Sequence, residues 1–365
     1  MTDRSPRVAI VHSWLNQYGG AERVLEQLHD LFPQAPIYTS MYEPRALPRQ
    51  YQSWDIRTSF LQHVPFSRSK HQAMLFLYPL AFESFDLSEY DLVISLSSGF
   101  SHGVRVPDQR RHVSYCLTPP RFLWTFDSYV KLEGVGRGAQ LGLAATVPLL
   151  RRWDYRASQR VGRFVTISHV VEERIKRSYG REAPVIYPGI EVDSFAPSEQ
   201  IDDYFLVVSR LIPYKRIDLA IAACNRLKLP LKVVGDGRSR AVLERLAGPT
   251  IEFLGKADDA TTRRLYARCR AFIFPGDEDL GLTPIEAQAA GRPVIAYGHG
   301  GTRETVVDGV TGAFFAEQTV DSLVATLQPF DPRDYRSATI RQLARATFDV
   351  SVFRQQFKAF VLAQV

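Results

Sequence analysis

Two glutamates on either side of a glycine-containing loop have the spacing in this chain that best suits chemistry on a sugar. An apolar run, residues 271–274, stops at a Pro-Gly pair, and Glu278 lies in the acidic loop that follows. Glu286 comes eight residues later, on the first turn of a helix predicted to open near Thr283. Carboxylate oxygens accept hydrogen bonds from hydroxyl groups, and the positive end of a helix attracts phosphate. The pattern therefore indicates a site for a nucleotide sugar.

The loop between the two acids supplies backbone donors as well as side chains. The N–H groups of Leu280, Gly281 and Leu282 are placed to point at a phosphate near the start of the helix. Glu278 beside them would accept from sugar hydroxyls, and Glu286 from a ribose. Two acids that flank a Gly-Leu pair at a strand exit favour function over chance.

Glu286 also has a purely structural interpretation. Residues 283–286 are Thr-Pro-Ile-Glu, which fits a capping box with threonine as N-cap, proline at the first helical position and glutamate at the third. Glu278 has no such role, because it lies five residues before that N-cap. For Glu286 the two interpretations, helix cap or ribose ligand, both stay open.

Two cations, Arg210 and Lys215, flank a short loop at the end of another predicted strand, residues 204–209. Facing a diphosphate, they would neutralise the charge that builds on a leaving group. A solvated basic turn is the alternative, since Arg216 is an ordinary neighbour. The loop after the next strand contains Gly235, which indicates a tight turn beside the base of the nucleotide.

A glycine pair, Gly19-Gly20, opens the first predicted helix. Without side chains, its N–H groups are free to approach the leaving phosphate or a group of the acceptor. A structural turn explains the two glycines equally well.

Alternating strands and helices must position these residues. We predict strands over residues 7–12, 91–96, 112–117, 163–167, 204–209, 231–235, 251–254, 271–274 and 293–297, and helices over 21–32, 216–227, 238–246, 258–268 and 350–363. This order predicts an α/β protein of two doubly wound halves, joined by a linker near residues 187–203. At 365 residues, the chain is long enough for two domains.

Several of these motifs, in this order, resemble one family. The stretch from Glu278 to Glu286, with Gly281 between them, resembles the signature of retaining glycosyltransferases of family four, which have the GT-B fold. Residues 204–216, YFLVVSRLIPYKR, are similar to the first strand and loop of that family's donor domain, and residues 19–23, GGAER, to its amino-terminal glycine turn. The resemblance covers nearly the whole chain. The subgroup it most resembles contains GDP-mannose-dependent mannosyltransferases of polysaccharide assembly.

The resemblance implies a domain plan and a set of roles. Residues 1–190 would form a Rossmann-like acceptor domain, residues 200–345 a Rossmann-like donor domain, and residues 346–365 a helix crossing back to the first domain, with the active site in the cleft. The implied catalytic residues are Glu278, Arg210 and Lys215, and the implied donor-binding residues are Glu286, Leu280, Gly281, Leu282, Gly19, Gly20 and Gly235. No cofactor or metal is implied beyond the nucleotide-sugar donor, GDP-mannose being the expected one.

One position departs from the family pattern. Relatives usually have Tyr-Cys-His-Thr-Pro where this chain has Leu117 in place of the histidine. That histidine normally lies beside the donor sugar, where leucine can neither hydrogen-bond nor titrate. His102, in the loop after the strand 91–96, could take over the contact, although a lone histidine on a loop is more often simply exposed.

Composition and charge limit the kinds of partner that the protein is expected to bind. Residues 101–181 hold 15 Lys/Arg against 6 Asp/Glu, a basic surplus that suits an anionic membrane. No nucleic-acid-binding signature accompanies it. Residues 67–82 and 131–153 combine basic with apolar residues over lengths too short to span a bilayer. We therefore expect a cytoplasmic protein, peripheral on the inner face of a membrane, although an ordinary buried helix is the alternative for each segment.

Cysteine usage agrees with a reducing compartment. Cys116, Cys224 and Cys269 lie far apart among apolar residues, with neither metal-ligand nor disulfide spacing. The start of the chain, MTDRSPRVAIVHSW, predicts a strand rather than a secretory signal.

Three functions remain open. The first is a retaining, metal-independent glycosyltransferase that moves a sugar from a nucleotide donor to a lipid-linked saccharide. The second is another GT-B chemistry, such as a nucleotide-sugar epimerase, which would have no need of a lipid surface. The third is a non-catalytic donor-binding or scaffold subunit, suggested by Leu117.

Overall fold

The computed structural model describes residues 6–65, 71–126 and 137–363. These residues form two compact units. The first unit contains the described residues up to Pro188 and also the last helix from Phe353 onward, and the second contains Gly189–Val352.

A six-stranded parallel sheet forms the centre of the first unit. Its spatial order is β3-β2-β1-β4-β5-β6. The strands are β1 Val8–His12, β2 Ile37–Thr39, β3 Ile56–Thr58, β4 Leu92–Ser97, β5 His112–Cys116 and β6 Arg163–Thr166, and the helices are α1 Gly20–Leu31, α2 Tyr78–Glu83, α3 Arg121–Trp124, α4 Arg137–Arg160 and α5 His169–Tyr179. Every residue of β1, β4 and β5 is buried, as in parallel sheets covered on both faces.

A second six-stranded parallel sheet forms the centre of the other unit, in the order β12-β11-β10-β7-β8-β9. The strands are β7 Phe205–Val208, β8 Leu231–Val234, β9 Ile251–Gly255, β10 Phe272–Phe274, β11 Val294–Tyr297 and β12 Gly312–Phe315. Its helices are α6 Ile217–Leu227, α7 Arg240–Leu246, α8 Asp259–Arg268, α9 Leu282–Ala289, α10 Thr302–Thr305, α11 Val320–Leu327 and α12 Ser337–Phe348. The last helix, α13 Val350–Leu362, belongs to the first unit from Phe353 onward. Apolar residues from α6, α11 and the central strands form its core.

Short 3-10 turns complete the described elements. They are Pro44–Ala46, Arg49–Ser53, Phe60–His63, His71–Leu77, Ser101–Gly103, Gln109–Arg111, Val192–Ser194, Pro213–Lys215 and Pro332–Asp334.

Each sheet has a point at which the strand order reverses. In the first sheet the reversal lies between β1 and β4, and in the second between β7 and β10. The loops that leave such neighbouring strands in opposite directions open a crevice at the carboxyl edge, where ligands of doubly wound sheets bind. The predicted α/β class with two doubly wound sheets is confirmed.

The last helix, α13, packs on the first unit through aromatic and charged contacts. Tyr115 contacts the rings of Phe353 and Phe357 at centroid distances of 5.9 and 5.2 Å. Arg354 pairs with Asp30 of α1 at 2.9 Å. These contacts attach the end of the chain to the unit in which the chain began.

The predicted elements agree with the observed ones to within one or two residues at each end. The three cysteines are buried, as predicted. The apolar run 139–150 lies inside the longer helix α4, where Val147 and Leu150 are buried but Leu149 is 73% exposed. Residues 66–70 and 127–136, which belong to or border the two predicted membrane segments, lie outside the described residues.

Candidate functional site

The switch point of the second sheet brings together two residues that lie 63 positions apart in the sequence. Lys215 ends the 3-10 turn after β7, and Glu278 lies in the loop after β10. The Lys215 ammonium forms an ion pair with Glu278 Oε1, and both side chains are largely buried, at 14% and 16% exposed. The structure thus joins two of the predicted site residues directly.

Aromatic rings border this ion pair. Lys215 Nζ lies 5.3 Å from the ring centroid of Tyr214 and 6.0 Å from that of Phe274. A cation within about 6 Å of an aromatic face is attracted by the negative π-cloud. Phe274 and Tyr214 therefore help to hold the ammonium group at the sheet edge.

Arg210 stands in a more open position on the same loop. Its side chain is exposed, and Nη2 lies 3.3 Å from the hydroxyl of Tyr214. Tyr214 therefore lies between the two predicted phosphate-binding cations, in contact with both. An exposed guanidinium next to a half-buried ammonium gives this loop a strongly positive face.

Backbone geometry at this edge requires glycine at two predicted positions. Gly281 has φ +85°, and a Cβ there would lie 2.9 Å from the Phe274 ring. Gly235 has φ +127°, and a Cβ there would lie 1.9 Å from the carbonyl oxygen of Ser209. A side chain at either position would force the strand-exit loops apart.

Helix α9 begins two residues earlier than the predicted capping box requires. Leu282 is its first residue, Gly281 is the N-cap, and no side chain caps the first turn. The prediction of Thr283 as N-cap is wrong, because the positive φ of Gly281 already turns the chain into the helix. Glu286 is then the fifth helical residue, too deep in the helix to reach the first N–H groups.

Glu286 has a different partner. Its side chain is buried, and Oε2 accepts a hydrogen bond from the hydroxyl of Tyr266, on α8, at 3.0 Å. Leu280, just before the helix, is also buried. Glu286 is therefore an internal carboxylate of the second unit rather than a surface cap.

The loop after β11 contributes a histidine–aspartate contact to the same edge. His299 Nδ1 lies 3.1 Å from Asp277 Oδ2, and both side chains are partly exposed. The N–H of Gly301 donates to the carbonyl oxygen of Glu278 at 2.8 Å. These contacts fasten the β11 loop to the Glu278 loop. The sequence analysis did not single out His299 or Asp277, although both lie directly within the predicted strand-exit loops.

A buried contact between a histidine and a glutamate lies beside the glycine turn of the first sheet. Gly19 is the N-cap of α1, which Gly20 opens, without a side-chain cap. His12, the last residue of β1, places Nε2 3.3 Å from Glu22 Oε1 in the first turn of α1, and both side chains are 2% exposed. The pair ties the glycine turn to the end of β1. Sequence reasoning missed it, although a histidine and a glutamate on either side of Gly19-Gly20 were a usable signal.

His102 is buried, which contradicts the expectation of simple exposure. Its Nδ1 lies 2.9 Å from Ser97 Oγ, and its Nε2 lies 3.2 Å from Asp154 Oδ1, although without the alignment of a hydrogen bond. The other oxygen of Asp154 accepts from Trp124 Nε1 at 2.7 Å and from the Tyr179 hydroxyl at 2.8 Å. His102 thus belongs to an internal polar network that anchors α4.

Leu117 follows β5 with its side chain buried. Its N–H donates to the carbonyl oxygen of Ser97 at 2.7 Å. Ser97 therefore contacts both Leu117 and His102, so the two predicted sugar-contact positions are neighbours in the structure.

Another buried histidine, His112, is the first residue of β5. His112 Nε2 lies 2.9 Å from Ser95 Oγ. Burial lowers the pKa of His112 to about 3, with smaller contributions from His102 and Arg160. The imidazole is therefore neutral in the folded protein at ordinary pH.

Across residues 6–65, 71–126 and 137–363, no three His, Cys, Asp or Glu side chains are grouped as metal ligands. Within the same ranges, no helix has both the length and the apolar character that crossing a bilayer requires.

Known proteins resemble this chain in sequence and in fold. Residues 192–330 match the family model of "Glycosyl transferases group 1". A GDP-mannose-dependent alpha-(1-6)-phosphatidylinositol monomannoside mannosyltransferase of Mycolicibacterium smegmatis is 30% identical over 205 residues, 46% of this chain and 53% of that protein. An uncharacterized glycosyltransferase of Methanocaldococcus jannaschii is 26% identical over 161 residues, 43% of this chain and 46% of that protein. The chain thus spans about half the length of these curated relatives.

Solved structures match over nearly the full length. HepE of Anabaena in complex with UDP and glucose has a TM-score of 0.71 at 17% identity, covering 99% of this chain and 100% of that one. Sucrose-phosphate synthase of Thermosynechococcus elongatus has a TM-score of 0.75 at 18% identity, covering 97% and 98%. At such identities the likeness establishes the fold, which is GT-B. Over residues 192–330, the second unit matches the family model of the group 1 glycosyltransferases.

Proposed function

We propose that this protein is a retaining glycosyltransferase that moves a sugar, mannose from GDP-mannose, to a lipid-linked saccharide during cell-surface polysaccharide assembly. The observation that carries the proposal is the meeting of Lys215 and Glu278 at the switch point of the second sheet. One residue suits a diphosphate and the other suits sugar hydroxyls. A ligand that carries both groups side by side is a nucleotide sugar.

The charges of this edge suit the proposed leaving group. In the reaction, the bond between the anomeric carbon and the β-phosphate oxygen breaks, and the electron pair goes to that oxygen. Arg210 and Lys215 would stabilise the resulting diphosphate, together with the N–H groups at the start of α9. Because two cations already face the diphosphate, the transfer would need no divalent metal.

The acceptor hydroxyl would form its bond to the anomeric carbon on the face that the phosphate leaves. Its proton would pass to the departing phosphate oxygen, so that atoms and charge balance without an enzyme nucleophile. Glu278 would accept from the sugar hydroxyls and orient the ring. Glu286 would bind the ribose, while Gly235 would let the β8 loop lie beside the base.

The choice of GDP-mannose is supported by two kinds of observation. The first is the resemblance of the donor-domain motifs to mannosyltransferases. The second is the relative in Mycolicibacterium smegmatis, whose name specifies GDP-mannose as donor and a mannosylated phosphatidylinositol as acceptor. The family model that matches this chain spans residues 192–330, a stretch that includes the donor edge, which we define as the strand-exit loops that carry Arg210, Lys215 and Glu278.

An acceptor attached to lipid requires a way to reach a membrane. On α4, Leu149 is exposed, and Arg152 and Arg156 are exposed three and seven residues later, on the same side of the helix. Phe76, just before α2, and Leu80, within α2, are 58% and 61% exposed. Glu83, the last residue of α2, accepts a hydrogen bond from Trp153 Nε1 of α4 at 2.8 Å and so joins the two helices. Exposed apolar side chains beside arginines suit the interface of an anionic bilayer. We therefore propose peripheral binding to the inner face of the membrane.

Ligand-induced stabilisation tests the donor first. GDP, UDP, ADP and dTDP are compared in a thermal-shift assay, where a ligand that binds the native state raises Tm. We expect GDP to raise it most and the Arg210→Ala variant to lose most of the shift. Arg245→Ala is the matched control, because Arg245 is an exposed arginine in the last turn of α7, and that end of the helix lies at the opposite edge of the sheet.

Product formation tests the reaction. Radiolabelled GDP-mannose and a membrane lipid extract should give labelled lipid with the anomeric configuration of the donor. Binding of GDP without any transfer would favour a non-catalytic donor-binding subunit. Conversion of the free nucleotide sugar to its epimer would favour the alternative GT-B chemistry. A shift with none of the four nucleotides would contradict the proposed donor site.

A further inference from the structure

The ion pair between Lys215 and Glu278 raises a question about the order of events at the donor edge. In this structure, the ammonium that would bind phosphate holds a carboxylate. The pair lies mostly out of solvent, beside the rings of Phe274 and Tyr214. A charge in such a place is costly to leave without a partner. An anion that binds Lys215 therefore competes with Glu278 for the ammonium group.

Two ligands would meet this requirement differently. A free nucleoside diphosphate takes Lys215 but offers nothing to Glu278, which is left facing the negative phosphates. An intact sugar nucleotide takes Lys215 with its diphosphate and supplies sugar hydroxyls that donate to Glu278. The cost of breaking the ion pair is therefore offset only when the sugar is present.

We infer that the Lys215–Glu278 ion pair is an internal competitor that makes the site select an intact sugar nucleotide over the free nucleoside diphosphate. This inference rests on the proposed function, because it takes the donor edge to be a sugar-nucleotide site. It adds a specificity role for Glu278 that is separate from contact with the reacting sugar.

The same exchange favours release of the product. When the sugar leaves with the acceptor, Glu278 loses its hydroxyl partners while the nucleoside diphosphate is still bound. Glu278 then competes for Lys215 and weakens the hold on the diphosphate. The return of the ion pair thus accompanies product dissociation and limits inhibition by the product.

The neighbouring acid provides a matched control. Asp277 lies next to Glu278 in the same loop, but its carboxylate faces His299 at 3.1 Å and is partly exposed. Asp277→Asn removes one negative charge from the loop and leaves the Lys215–Glu278 pair intact. A general electrostatic effect on anion binding would appear in both variants, whereas competition for Lys215 would appear only in Glu278→Gln.

The experiment measures dissociation constants by isothermal titration calorimetry for the wild type, Glu278→Gln and Asp277→Asn. The ligands are GDP with GDP-mannose and, in parallel, UDP with UDP-glucose. For the pair that binds, we expect Glu278→Gln to bind the free diphosphate about tenfold more tightly, equivalent to about 1.4 kcal/mol. Its affinity for the sugar nucleotide should stay equal or fall. Asp277→Asn should change both affinities by a similar small factor.

Turnover gives a second measurement. The inhibition constant of the free diphosphate in the transfer reaction should fall in Glu278→Gln by the same factor as its dissociation constant. If Glu278→Gln tightens both ligands equally, or tightens neither, the inference is wrong while the proposed function stands. If the wild type binds none of the four ligands, the proposed function and the inference fail together.

Discussion

Tyr266 donates a hydrogen bond to Glu286 at 3.0 Å and so joins helix α8 to helix α9 inside the second unit. Both side chains are buried. The hydroxyl therefore fixes a carboxylate just behind the loop that carries Glu278. This contact therefore affects both the stability of the unit and the position of Glu286, which is proposed to bind the ribose.

Substitutions at this contact separate its two consequences. Tyr266→Phe removes the donor and should lower the free energy of unfolding by about 1 to 3 kcal/mol, because a buried carboxylate loses one of its hydrogen bonds. Nucleotide affinity should change little, since the carboxylate remains. Glu286→Ala should lower both stability and nucleotide affinity, whereas Glu286→Gln should recover most of the stability. Denaturation and calorimetry on the three variants measure both quantities. An unchanged nucleotide affinity in Glu286→Ala would restrict Glu286 to a structural role.

The two cations of the donor edge also predict that the transfer reaction does not depend on a metal ion. Arg210 and Lys215 supply the positive charge that a divalent ion would otherwise provide at a leaving diphosphate. We expect the transfer rate to be the same with EDTA as without it. Loss of the activity in EDTA, with recovery on addition of magnesium or manganese, would contradict the prediction.

Membrane binding should depend on the exposed apolar residues of the first unit. Leu149→Ser together with Leu80→Ser should reduce flotation with anionic liposomes, because each removes exposed apolar area beside basic residues. Binding by the wild type should weaken as salt rises, since the Debye length is about 10 Å at 0.1 M. Val242→Ser together with Leu246→Ser is the matched control, as both side chains are 50% exposed on α7 of the other unit. Equal flotation of the two double variants would contradict the assignment, and so would a wild type that stays at the bottom at low salt.

The arrangement of strands was accessible from the sequence because parallel strands here are continuous apolar runs. Residues 204–209 and 271–274 were predicted as strands, and in the structure the corresponding strands, β7 and β10, lie side by side in the sheet. The meeting of Lys215 with Glu278 follows from that adjacency. Their direct pairing could not be predicted, since a spacing in sequence contains no information on which partner a charge takes in the absence of a ligand.

Other features depended on local backbone geometry or on distant contacts. The positive φ of Gly281 moved the start of α9 and removed the predicted capping box. The strands β2 and β3 have three residues each and were not predicted from the sequence. The burial of His102 depends on Asp154, 52 residues later in the chain. The periodicity of apolar residues indicates which face of a helix or strand is buried, but it does not identify the partner of a single polar group.

The network around His102 leads to a prediction about the position that departs from the family pattern. His102→Ala should lower the free energy of unfolding by about 1 to 3 kcal/mol, because Ser97 Oγ loses its hydrogen bond to His102 in the interior. If His102 also contacts the sugar, turnover should fall by about a hundredfold. Leu117→His should preserve folding and leave the transfer rate equal or higher. Transfer assays and urea denaturation of both variants check this, and a wild-type rate in both would mean that neither position touches the reaction.

His112 predicts how stability changes with pH. Burial lowers the pKa of His112 to about 3 in the folded protein, whereas an unfolded histidine titrates near 6.5. Between these values the unfolded chain binds a proton that the folded chain does not, so stability is complete above about pH 6.5 and is lost as the pH falls. The contribution of this one group is about 1.4 kcal/mol per pH unit within that window.

His112→Gln can still hydrogen-bond to Ser95 but does not titrate, so its unfolding free energy should depend less steeply on pH between 6 and 4. Urea denaturation across that range measures the difference, with His63→Gln, which removes an exposed imidazole, expected to follow the wild-type curve. Parallel curves for the wild type and His112→Gln would show that His112 does not account for acid destabilisation.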